Sequence, residues 1–181
     1  MKKYILVAAF ILLFIAFIAP HRSEGESFPS LELGSQWEKG NDFWGVLDTF
    51  WTLKTDPEVF VSVMSHNNSP IGAKIATMKK EQILEEFKKG RKALFALNAV
   101  TNWKVSNSNL SAAAGGELFT MSGTYLDSNA TPTSFEEIHF WKNNRYTSYT
   151  VIYPEKSEFA KTKAYAKITK RILASVEGGG Q

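Results

Sequence analysis

The chain contains no cysteine, which excludes disulfides, thiol nucleophiles, thiolate metal sites and lipid attachment through a cysteine. Only three histidines are present, so imidazole chemistry is confined to His21, His66 and His139. No Gly-x-Ser-x-Gly elbow supplies a serine nucleophile; Met121-Ser122-Gly123 stands inside a strand pattern. A phosphate-cradling glycine loop is missing too, because Gly115-Gly116 follows three alanines and reads as a hairpin connection. The neighbouring carboxylates Glu85-Glu86 and Glu136-Glu137 diverge on a helix or a strand and offer no glycosidase pair. The body of the chain also lacks an excess of positive charge. Of 21 basic residues, Lys2, Lys3 and Arg22 belong to the N-terminal segment, and the 18 that follow balance 18 acidic residues. That balance argues against nucleic acid as a partner, since such binding needs a basic surface to displace counterions from phosphate. Nothing in these patterns asks for a cofactor or a resident metal.

One long apolar run is present. Met1-Lys2-Lys3 precedes residues 4–19, YILVAAFILLFIAFIA, the order of positive and apolar regions that marks a secretory signal. As a helix this run would extend roughly 24 Å, short of a hydrocarbon core of about 30 Å, so a cleavable signal is preferred to a permanent anchor. Residues 16–20 (AFIAP) make a poor cleavage site, and an uncleaved segment would tether the domain outside with Lys2 and Lys3 inside. Either outcome exports the rest of the chain to the periplasm or cell envelope. The expected division is a signal or anchor at 1–23, a polar leader at 24–30, one domain at 31–177 and a glycine-rich tail at 178–181. An apolar share of 44% and a charged share of 22% are globular values. About 150 residues are enough to build one core without disulfides.

Periodicity orders the domain. Residues 42–55 (DFWGVLDTFWTLKT) and 58–65 (EVFVSVMS) read as a strand pair turning at Asp56-Pro57, with Val59, Val61 and Val63 alternating against Phe60, Ser62 and Met64. After a loop at 66–72, Thr77 is the expected N-cap of a helix reaching about residue 99. Its Ile83, Leu84, Phe87, Leu94 and Phe95 recur at helical spacing, and Gly90 is a candidate point for a kink or break. Strands at 103–110, 117–126, 134–142 and 145–153 follow, the last two joined tightly at Asn143-Asn144, so an antiparallel meander is predicted. A closing helix from about Ser157 buries Tyr165, Ile168, Ile172, Leu173 and Val176. The fold class is therefore α+β: an N-terminal strand pair, a helix, a β-meander and a C-terminal helix in a sandwich.

This order, with a strand ending Val151-Ile152-Tyr153-Pro154 and a closing helix reading Ile168-x-x-x-Ile172-Leu173-x-Ser175-Val176, resembles the PsbP-like superfamily. That superfamily includes the photosystem II extrinsic protein and DcrB-like bacterial envelope lipoproteins. The resemblance spans roughly residues 31–176 and implies a fold used mainly for binding and assembly. It transfers no functional residues, and the chain departs from the lipoproteins in having no cysteine after the apolar run.

Three groups of residues are candidates for function. On a strand, Glu137 and His139 share a face and would offer a carboxylate–imidazole pair to a ligand or a metal, although a metal wants three or four ligands. The plain alternative is a solvated strand face. His66 opens a polar loop, where ligand binding competes with an ordinary turn. Trp141 belongs to a surplus of aromatic residues, with Trp44, Phe50, Trp51, Phe135, Tyr146, Tyr149 and Tyr153. These are all core if helices cover both sheet faces, and otherwise form a groove for a hydrophobic ligand or partner. Lys88, Lys89, Arg91 and Lys92 form a basic patch suited to anionic lipid or an acidic partner, unless Glu81, Glu85 and Glu86 balance it. The preferred expectation is an exported, non-enzymatic domain that binds a protein partner or small ligand. The alternatives are an enzyme or metal-dependent factor using Glu137 and His139, and a membrane-tethered structural protein.

Overall fold

Alternation along the strands builds a sheet that is buried on both faces. The computed structural model describes residues 31–43, 47–66, 74–75, 77–96, 100–113, 115–143 and 145–178. Strands β1 (Trp37–Phe43), β2 (Leu47–Leu53) and β3 (Asp56–His66) precede helix α1 (Lys80–Ala96). Strands β4 (Val100–Ala113), β5 (Gly116–Asp127), β6 (Pro132–Lys142) and β7 (Arg145–Pro154) follow, and the chain closes with α2 (Glu158–Lys161) and α3 (Ala164–Gly178). All pairings are antiparallel, in the order β1-β2-β3-β7-β6-β5-β4. The α1 connection therefore carries the chain from inside the sheet to its far edge, and the meander returns until β7 closes against β3.

Each face has its own core. Phe60, Met64, Phe119, Phe135, Trp141 and Tyr146 pack beneath Ile83 and Phe87 of α1. Val59, Val61, Ile138, Phe140 and Val151 face the other way, against Phe159 of α2 and Ile168, Ile172 and Val176 of α3. This is the alternation expected from EVFVSVMS. It also places most of the aromatic surplus: Phe135, Trp141 and Tyr146 are buried on the α1 side, with Phe50 partly buried against them, while Trp51, Tyr149 and Tyr153 are buried on the α3 side. Trp44 lies outside the described residues.

The turns follow their side chains. Asn143 has φ 50° and Gly115 has φ 74°, the left-handed conformation that tight hairpins require and that Asn and Gly tolerate. Between β5 and β6, the Asp127 carboxylate accepts the N–H groups of Asn129 at 2.8 Å and Thr131 at 2.9 Å, an Asx-type turn.

Several boundaries differ from the sequence-based expectation. Residues 42–55 do not form one strand; β1 and β2 pair with each other, so three strands precede α1. The β2–β3 turn falls at Lys54 and Thr55, and Asp56-Pro57 lies in β3 at a register irregularity, where Leu53 pairs with Asp56 and Thr52 with Phe60. Proline is accommodated there because a bulge frees it from donating to the ladder. Thr77 does not cap α1: its hydroxyl donates to the Lys74 carbonyl at 2.8 Å. Instead the Gln82 side chain reaches back to the Lys79 N–H at 2.8 Å, half of a capping box. The helix continues through Gly90. The closing helix is two helices, because Lys163 takes φ 55° and breaks the run between α2 and α3. Ser157 caps the first, accepting the Ala160 N–H at 3.1 Å. The N-terminal segment, the leader and residues 179–181 lie outside the described residues.

Candidate functional site

Glu137 and His139 are two apart on β6 and project from the face that α1 covers. Neither lies on a solvated strand face: their side chains are 2% and 4% exposed. His139 Nε2 is 3.0 Å from Glu137 Oε2, and its Nδ1 is 2.8 Å from the Tyr146 hydroxyl. Tyr146 arrives through the β6–β7 register. Trp141 pairs with Tyr146 and His139 with Ser148, so Tyr146 sits diagonally from His139 on the same face. The tight turn at residue 143 sets that register. Reading the sequence residue by residue missed Tyr146 as a partner, although the hairpin register predicted from Asn143-Asn144 contains it.

The imidazole is walled in by aromatic rings. The Phe87 ring lies 4.4 Å from it, and the rings of Phe119, Trp141 and Tyr146 lie at 6.1, 6.1 and 6.0 Å. In such surroundings an isolated carboxylate would cost many kcal/mol, so the hydrogen-bonded neighbours are what make Glu137 tolerable there. The proton pattern is self-consistent. If Nε2 carries a hydrogen and donates it to Glu137, bare Nδ1 accepts the Tyr146 hydroxyl; if Nδ1 is also protonated, the phenol oxygen accepts instead. The chain can hold the imidazole in one orientation and pass a proton along its length. Among the described residues all three side chains of the chain are buried.

The remaining candidates are dispersed. Trp141 is buried, and its indole N–H has no hydrogen-bond partner among the described residues. His66 ends β3 opposite Tyr146, and its side chain is outside the described residues, as are those of Arg91 and Lys92. On the outer side of α1, Lys88 pairs with Glu85 at 2.6 Å and Lys89 with Glu86 at 2.8 Å. Lys74 reaches Glu86 at 3.1 Å. Hydrogen bonds from Lys89 and Lys74 hold the Glu86 carboxyl below its usual range. Of the expected basic patch, Lys88 and Lys89 are thus interleaved with carboxylates, and the shallow recess of about 320 Å³ there is lined by Met78, Glu81, Gln82, Glu85, Glu86 and Lys89. Among the described residues, no three His, Asp or Glu side chains converge.

A second polar feature lies on the α3 side. The Tyr153 hydroxyl donates to Glu136 Oε1 at 3.3 Å, and its ring stacks on Tyr165 at 4.8 Å. Burial raises the Glu136 carboxyl above its ordinary range, against the opposing pull of the Tyr153 hydrogen bond. Burial, reinforced by the Glu136 charge, also lifts the Tyr153 phenol far above its usual value. Tyr153 is buried and Glu136 partly so.

The fold is PsbP-like: one antiparallel seven-stranded sheet between α1 and the α2–α3 pair. It matches the solution structure of cyanobacterial PsbP (CyanoP) from Synechocystis sp. PCC 6803 with a TM-score of 0.58, at 9% identity, over 78% of this chain and 80% of that one. At that identity the likeness establishes the fold alone. No protein-family model and no curated protein sequence matches the chain.

Proposed function

We propose that the chain is an exported domain that acts by binding, in the periplasm or cell envelope, and has no catalytic centre. The observation that carries this reading is the enclosure of the Glu137–His139–Tyr146 chain. The carboxylate–imidazole pair that the sequence offers for acid–base work lies inside the core, hydrogen-bonded to Tyr146, and that burial supports a structural role for it. The basic start and apolar run of residues 1–19 support export. Among the described residues, no helix is long and apolar enough to cross a membrane. Among the described residues, the sheet edges and the outer helix faces offer surface to a partner or small ligand.

Histidine modification with diethylpyrocarbonate, read by mass spectrometry, tests the enclosure. His139 in the native protein is expected to resist modification and to react once the protein is unfolded in urea. Reaction of native His139 at the unfolded rate would restore the enzymatic alternative. Fractionation of producing cells, with the mass of the recovered chain, tests export: recovery from the cytosol with Met1 retained would remove the compartment from the proposal.

A further inference from the structure

Strand β4 is an outer strand of the sheet, and among the described residues only β5 pairs with it. It is 14 residues long, well beyond the usual five or six. An edge strand carries a row of backbone N–H and C=O groups ready to pair with another strand, and proteins that must avoid this guard the edge with charge or proline. The opposite edge is guarded. In β1, Glu38 and Lys39 are exposed, Lys39 pairs with Glu32 at 3.5 Å, and the strand has half the length of β4. In β4 the one charged side chain is Lys104, confined to a stretch with register shifts at Thr101/Lys104 and Val105/Asn107. From Asn107 to Ala113 the pairing with β5 is regular, and the sequence NSNLSAA is uncharged and free of proline.

We propose that this edge pairs antiparallel with the same edge of a second copy of the chain about a two-fold axis near Leu110, joining two sheets into one. An antiparallel edge is its own complement under a two-fold, so one strand supplies both halves of the interface. A second copy is favoured as occupant because 107–113 brings no like charges into opposition. The body of the chain, with its basic and acidic residues in balance, adds little long-range repulsion. The side chains suit the pairing. Asn107 and Asn109 are exposed, and their amides both donate and accept. Leu110, already packed against the α1-side core, would meet its own copy and extend that apolar row across the junction. This inference goes beyond the binding function proposed above and does not depend on the compartment.

Because the chain has no native cysteine, single-cysteine variants of the full purified chain give an unambiguous test. Asn107→Cys, Asn109→Cys, Leu110→Cys and Ser111→Cys are oxidised and compared with Glu38→Cys on the guarded edge. At least one β4 variant is expected to become mainly a covalent dimer, while Glu38→Cys stays monomeric. In parallel, light scattering on the cysteine-free protein at about 100 µM should show a dimer. The pair Asn109→Lys with Ser111→Lys, its fold verified by circular dichroism, should weaken that dimer by about tenfold or more. A monomer at that concentration overturns the proposal. So does a dimer that neither cross-links through β4 nor responds to the lysines. Cross-linking only when β4 and β1 cysteine variants are mixed points to head-to-tail pairing and overturns it as well.

Discussion

Replacing Tyr146 by Phe isolates one hydrogen bond of the buried chain. The residue is fully buried, and its ring packs 5.5 Å from Trp141 and 6.0 Å from His139, contacts that phenylalanine keeps. What is lost is the 2.8 Å bond to His139 Nδ1, a ring nitrogen held inside the aromatic shell. The net worth of a buried hydrogen bond is about 1 kcal/mol, and an orphaned buried polar atom costs about 1–3 kcal/mol, so a loss of about 2 kcal/mol is expected. For a domain of about 150 residues this lowers Tm by roughly 4–8 °C. The urea midpoint falls by about 1 M at an unchanged m-value. Trp103 and Trp141 lie in or against the same core and report unfolding by fluorescence. A cycle with His139→Leu then measures the coupling directly, and residues sharing one network should couple by more than about 0.5 kcal/mol. A loss below about 0.5 kcal/mol, or a coupling of zero, refutes the claim that these three side chains form one structural unit.

Other perturbations probe separate parts of the fold. Phe87→Ala removes the ring that stacks on Phe119 at 5.6 Å and covers His139; it should cost about 3–5 kcal/mol by chemical denaturation and make native His139 reactive to diethylpyrocarbonate. Glu136 has its carboxyl pKa raised by burial, so the folded state holds a proton that the unfolded state releases. Its stabilising contribution is complete below the ordinary value near 4.5 and is lost as pH rises through the higher folded value. Glu136→Gln should therefore flatten the fall in stability above that pH, and an unchanged pH profile would count against the burial effect. In Gly123→Ala, the new Cβ would strike the Lys104 carbonyl and come within 2.8 Å of the Phe135 ring; thermal unfolding should show a loss of about 1–3 kcal/mol. Ser157→Ala removes the cap of α2 and should cost about 1 kcal/mol in the same assay.

The enclosure of His139 bears on how such a fold is read for function. A carboxylate two residues from a histidine on one strand has the spacing of an acid–base pair, and only its surroundings distinguish a site from a core element. Here Phe87 comes from a helix more than fifty residues earlier in the chain. Its place over the imidazole depends on α1 crossing from β3 to the far edge of the sheet.

Local chemistry by itself determined much of this protein. Alternation in EVFVSVMS set the two faces of β3, helical spacing set the buried stripe of α3, and Asn143 and Gly115 set turns that require positive φ. Such features act within a few residues and leave a periodic trace. The division of 42–55 into two strands, the break at Lys163 and the displacement of the β2–β3 turn left no such trace, because cross-strand register and packing overrode local preference. The tertiary structure alone decided that Glu137 and His139 are interior and that β4 stands at an edge. Burial and edge position are properties of which distant segments cover a residue, and that information resides in the assembled sheet and helices, not in any window of the chain.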